Sequence, residues 1–152
     1  TAICRRNGAR SVVVTDVNDY RLDMARKMGA TATVNVAHDK LESIFGPQHM
    51  VEGFDVGLEM SANVAAPNIA LLGIHPGNIE ININKVIWNS LTLQGVYGRK
   101  MYETWYKMIT MVEGGLDMTP MITHRFNYRD FDKGFEAMNS GRSGKVVLDW
   151  TK

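Results

Sequence analysis

S-V-V-V-T-D-V-N-D-Y-R, residues 11–21, is the stretch whose reading decides the fold. Ser11 leads into three valines and Thr15, and the run closes on an acid, Asp16. A continuous β-branched run bounded by polar residues reads as a strand buried on both faces. Such strands belong to parallel sheets covered by helices. An acid at the carboxyl end of that strand stands where open α/β sheets bind their ligands. Its carboxylate can accept hydrogen bonds from both hydroxyls of a ribose, as NAD-binding folds arrange it. The plainer alternative is that Asp16 starts the next turn and helps cap a helix. Arg21 falls on the first turn of that helix. Its guanidinium would lie against an adenine, pair with Asp16, or stand as a solvated charge.

Working outward, residues 19–28 carry Tyr20, Met24 and Met28 on one helical face with Leu22 and Ala25 alongside, and Gly29 ends the helix. On the amino-terminal side, residues 1–6 read as the end of a helix closed by Gly8. Downstream, residues 31–36 read as a second strand and 41–45 as a short helix stopped by Gly46-Pro47. F-D-V-G-L-E-M (54–60) and N-I-A-L-L-G-I (68–74) read as the third and fourth strands, and L-T-L-Q-G-V-Y (91–97) as a fifth. Residues 79–83 alternate as an edge strand or an extended loop. A helix over 101–112 places Trp105, Met108, Ile109 and Val112 on one face, and Gly114-Gly115 stops it. After Gly114 come a strand (121–126), a helix (130–138) and a strand (144–150).

The alternation up to Gly114 is that of a doubly wound parallel sheet, followed by a small β-α-β segment. One join resists that reading. Only residues 61–67 lie between the third and fourth strands, whereas a parallel crossover needs about a dozen. Either the two strands are not parallel, or a helix is missing between them.

Composition removes several function classes. The 152 residues are 45% hydrophobic and 22% charged with a net charge of +1, ordinary for a globular domain and unsuited to binding nucleic acid by charge. No apolar run approaches a membrane span, and T-A-I-C-R-R-N-G has no signal-peptide pattern. A single cysteine, Cys4, fits a reducing cytoplasm and reads as a core thiol. The ten methionines are scattered through apolar positions as core filler. His38, His49, His75 and His124 are isolated, and no Cys/His spacing suits zinc. Asp55 and Glu59 lie four apart without a shared task, and no nucleophile-His-acid set can be argued from order.

The glycine fingerprint of dinucleotide folds, G-x-G-x-x-G, is absent. Methyltransferases that bind S-adenosylmethionine also place an acid after their second strand, so Asp16 alone leaves both folds open. L-L-G-I-H-P-G (71–77) is a strand-to-loop turn whose glycines would let a cofactor approach the backbone, or an ordinary turn.

Four stretches carry a resemblance. V-T-D-V-N-D-Y-R-L-D-M-A-R-K-M-G-A (14–30), G-F-D-V-G-L-E-M-S (53–61), G-V-Y-G-R-K-M-Y-E-T-W-Y-K-M (95–108) and T-H-R-F-N-Y-R-D-F-D-K-G-F-E-A-M-N-S-G-R-S-G-K-V-V-L (123–148) resemble the zinc-dependent medium-chain alcohol dehydrogenases, in the branch that oxidises L-threonine. The resemblance runs nearly the whole chain. It implies oxidation of the C3 hydroxyl of L-threonine to 2-amino-3-oxobutanoate, hydride transfer to NAD, and a zinc acting as Lewis acid. It carries cofactor contacts onto Asp16 and Arg21 at the adenosine, onto Leu72, Gly73 and Ile74 in the loop, and onto Val96 and Tyr97 near the nicotinamide. His75 stands where the family usually has proline.

The family's zinc ligands, proton relay and glycine fingerprint lie upstream of the matching part. The expectation is therefore no catalytic residue and no metal ligand in this chain, with zinc only in the full-length enzyme. A helix of about eleven residues between Ser61 and Asn68 is also lacking relative to the family, in agreement with the crossover argument. The expected division is 1–113, a partial NAD-binding Rossmann domain without its first strand, and 114–152, a segment completing a catalytic domain. The partners expected are a small-molecule substrate and further copies of the chain, with the resemblance implying a tetramer. The rival is an inactive chain that self-associates or binds nucleotide weakly.

Overall fold

The computed structural model of the chain describes residues 1–50, 53–60, 68–74 and 77–151. In chain order the described elements are α1 Ala2–Arg6, β1 Val13–Asp16, α2 Asp19–Lys27, β2 Ala32–Asn35, β3 Val56–Glu59, β4 Asn68–Leu71, α3 Ile83–Trp88, β5 Thr92–Gly95, α4 Glu103–Glu113, β6 Ile122–Asn127, α5 Phe131–Asn139 and β7 Lys145–Asp149. Single 3-10 turns occupy Leu41–Ile44, Thr119–Met121 and Tyr128–Asp130. Every strand pairing among the described residues is parallel.

The chain forms two compact units, Thr1–Ile44 with Trp105–Lys152, and Phe45–Thr104. In the first, β1 pairs with β2 from Val13↔Ala32 to Asp16↔Asn35, and α2 is the crossover between them. The residues of α2 form a helix because both ends are specified. Asn18 accepts the Tyr20 N–H as N-cap, Asp19 opens the first turn, Arg26 and Lys27 close the last, and Gly29 leaves with φ +92°. The buried stripe is Leu22, Ala25 and Met28, packed with Val34 of β2. Leu22 is 1% exposed, and burying a leucine so completely contributes about 2 kcal/mol. Tyr20 and Met24, expected on the same buried face as Met28, are only half-buried. Met24 lies instead against Gly144, where an added Cβ would come within 2.8 Å of its methyl carbon. The same unit holds β6-α5-β7, whose strands pair over α5 with a register shift between Ile122 and His124. Arg6 donates from Nη2 to the Gly114 carbonyl at 2.7 Å.

In the second unit, β4 is central in the order β3-β4-β5, and the buried residues of that sheet are Ile69 of β4 and Glu59 at the end of β3. The parallel pairing of β3 with β4 removes the first of the two explanations for the short join. The join itself, residues 61–67, lies outside the described residues, as does the expected loop histidine, His75.

The strands fall into sheets of two, three and two rather than one continuous sheet. β1 is not buried on both faces as its sequence suggests, with Thr15 exposed. Two further expectations change. Residues 79–82 form no strand, and Asn82 accepts the Lys85 N–H to start α3, a helix that the Ile79-Ile81-Ile83 alternation conceals. Trp105, Met108, Ile109 and Val112 do share α4, but each is about half exposed.

Candidate functional site

Asp16 is the last residue of β1, so its side chain emerges at the carboxyl end of a parallel pair. It is 24% exposed. Its Oδ1 accepts the backbone N–H of Asn18 at 2.9 Å, and its Oδ2 lies 3.7 Å from Nη1 of Arg21. Both plain readings from sequence are thus partly met, since Asp16 does start the turn and Arg21 does pair with it. The helix cap, however, belongs to Asn18. A carboxylate offers about four lone-pair positions. One is taken by Asn18, and the Arg21 contact is too long for a hydrogen bond, so acceptor capacity for two hydroxyls remains. An exposed ion pair of this length contributes about 0–1 kcal/mol, so exchanging it for a ligand costs little.

The turn around Asp16 is held from two sides. Asn35, buried at the end of β2, donates from Nδ2 to Asp19 at 2.7 Å and accepts the Ala37 N–H. Asn18 donates from Nδ2 to the carbonyl of Gly141 at 2.8 Å, across 123 residues of sequence. The sequence reading singled out neither asparagine. Asn18 was detectable as a cap residue directly before a helical run. Its link to Gly141 carries no local signal.

In the second unit the carboxyl ends of the three strands are tied together. The Leu72 N–H donates to the Glu59 carbonyl at 2.8 Å, and the Val96 N–H donates to the Leu71 carbonyl at 2.9 Å. Leu72, Gly73 and Ile74 therefore follow β4, and Val96 and Tyr97 follow β5, on one edge of one parallel sheet. Leu72, Ile74, Val96 and Tyr97 are exposed, with Tyr97 at 92%. The expected site residues thus form two groups, Asp16 with Arg21 in the first unit and the remaining five in the second. Among the described residues no three His, Cys, Asp or Glu side chains are placed to hold a metal. No described helix is long and apolar enough to cross a membrane.

An acid that closes a parallel strand stands at the edge where open α/β sheets bind their ligands. The zinc-binding dehydrogenase family profile matches residues 1–114. The chain belongs to that family. It is 54% identical over 162 aligned positions to an L-threonine 3-dehydrogenase of Aeromonas salmonicida, covering 99% of this chain and 47% of that one. A short chain alcohol dehydrogenase of E. coli CFT073, solved with NADH, superposes with a TM-score of 0.79 at 19% identity, over 93% of this chain and 45% of that one. A protein of Sinorhizobium meliloti 1021 bound to NADP gives 0.79 at 21% identity, over 97% and 48%. These two likenesses bear on the fold alone. The chain spans about half the length of the curated relatives it matches. The 162 aligned positions exceed the chain's 152 residues, so the Aeromonas relative has residues with no counterpart here.

Proposed function

We propose that this chain is the cofactor-binding half of an NAD-dependent L-threonine 3-dehydrogenase, oxidising L-threonine to 2-amino-3-oxobutanoate. The observation that carries the nucleotide part is Asp16 at the carboxyl end of β1, with free acceptor capacity and Arg21 beside it. The substrate rests on the identity shared with enzymes of that name along 99% of the chain. Asp16 binds the two ribose hydroxyls of the adenosine half, and Arg21 flanks the adenine. Leu72, Gly73 and Ile74 offer backbone and apolar contacts along the cofactor, and Val96 and Tyr97 border the nicotinamide. NAD, rather than NADP, follows from the charge on Asp16. A 2′-phosphate there would meet a like charge.

A zinc ion supplies Lewis-acid activation of a hydroxyl in enzymes of this kind. The described residues do not form a ligand set for it. Residues 1–113 act in this reading as the NAD-binding part and 114–152 as a segment completing the catalytic part. The free edge of β5 joins a second copy, toward a tetramer, and the cytoplasm is the compartment.

The test is threonine-dependent reduction of NAD by the zinc-loaded full-length protein. The expected result is NADH formation that requires both L-threonine and NAD. Oxidation of other secondary alcohols with no response to threonine would overturn the substrate assignment.

A further inference from the structure

We infer that Asn18 is a positioning residue for cofactor binding, tying the Asp16 carboxylate to the carboxyl-terminal β6-α5-β7 segment through Gly141. This rests on the reading of Asp16 as the ribose ligand and adds a residue and a coupling to it.

Besides the helical bonds that its carbonyl accepts from the Arg21 and Leu22 N–H groups, Asn18 makes three others. Its backbone N–H donates to Asp16 Oδ1 at 2.9 Å and so fixes the carboxylate's orientation. Its Oδ1 accepts the Tyr20 N–H at 3.0 Å and caps α2. Its Nδ2 donates to the Gly141 carbonyl at 2.8 Å. The first two bonds are local, and any good cap residue in a tight turn would make them. The third reaches a segment more than a hundred residues away and needs a side chain with both an acceptor and a donor. Asparagine has both, whereas serine and aspartate, which cap equally well, cannot supply an amide donor at that reach.

The Gly141 end is built for the contact. Gly141 holds φ +69°, and a Cβ there would stand 3.2 Å from Asn18 Nδ2. Only glycine takes that backbone conformation without strain while leaving room for the amide. A second contact accompanies it nearly two turns further along α2, where Met24 lies against Gly144. The amino-terminal turn of α2 is therefore seated on β6-α5-β7, and the turn that aims Asp16 moves with that seat. Both hydrogen-bonding groups of the tether are half-buried, so water competes for them only in part.

The consequence is a coupling between the carboxyl-terminal segment and cofactor choice. Releasing the tether leaves the carboxylate in place but lets its turn wander. The bond lost is the one to the ribose 2′-hydroxyl, which is free in NADH and carries a phosphate ester in NADPH.

The experiment uses the full-length protein and the dissociation constants of NADH and NADPH, read by nicotinamide fluorescence. Asn18→Ser keeps the cap and removes the tether. It is expected to weaken NADH about fivefold, the equivalent of one ordinary hydrogen bond, and to leave NADPH nearly unchanged. Gly141→Ala should do the same from the other side. In an Asp16→Ala background, Asn18→Ser should have no further effect on NADH, because the tether acts through that carboxylate. Equal weakening of NADH and NADPH, or an undiminished effect in the Asp16→Ala background, would overturn the inference and leave Asn18 a fold-stabilising residue. If Asp16→Ala itself leaves the NADH/NADPH ratio unchanged, the ribose reading fails first and the inference falls with it.

Discussion

Replacing Asp16 by asparagine changes one charge and almost nothing else. The amide oxygen can still accept the Asn18 N–H that the carboxylate accepts at 2.9 Å, so the turn into α2 is kept. Arg21, 3.7 Å away, loses a weak partner at a surface where such pairs contribute about 0–1 kcal/mol. The ligand side changes far more. With NAD, the charge-assisted bonds from the ribose hydroxyls become neutral ones, a loss of about 1–2 kcal/mol. With NADP, the like-charge repulsion against the 2′-phosphate disappears, and Arg21 is released to meet that phosphate. Together the two shifts amount to about 2–4 kcal/mol, a fall in NAD-over-NADP selectivity of roughly 30- to 1,000-fold. The assay is the ratio of kcat/KM for the two cofactors in the full-length protein, before and after Asp16→Asn, with Asp16→Ala as a second variant. An unchanged ratio in both variants, with folding intact, would refute the assignment of Asp16 to the ribose.

Two further outcomes are expected. Leu93→Pro should lower the assembly state seen by light scattering. β5 ends its sheet, and because the Val96 N–H points to β4, the Leu93 N–H points to the free edge, where proline removes a donor without breaking the β4 ladder. An unchanged assembly state would place the interface elsewhere. Asp117 accepts the Thr119 N–H at 2.8 Å, and hydrogen bonding from Thr119 holds its pKa below the ordinary 3.8. Its contribution to stability is therefore present above pH 3.8 and is lost as pH falls through the lower folded value. Thermal unfolding of the wild type and Asp117→Asn should converge on acidification, and a gap constant with pH would contradict this.

How much of this was legible in the sequence depends on how local each cause is. α2 could be read to within a residue because its apolar spacing and the closing Gly29 both lie inside the segment, while the cap at Asn18 went unread. The pairing of Asp16 with Arg21 was one of three readings that the sequence left open. The helix α3 was hidden because three isoleucines at alternate positions satisfy period 2, while the deciding event was a cap by Asn82. The division of the described strands into sheets of two, three and two was not legible, because pairing is decided between segments and not within them. The apolar face of α4 was legible as a face, but its burial was not, because burial is a property of what packs against it. The Asn18–Gly141 bond had no signal at all, since nothing in either segment specifies the other.

The most direct test of the central claim is a crystal structure of the full-length protein with NADH. Both adenosine ribose hydroxyls are expected within about 2.5–3.0 Å of the Asp16 carboxylate oxygens, with the Asn18 N–H still on Oδ1. A bound NADH whose adenosine ribose lies away from Asp16 would contradict it.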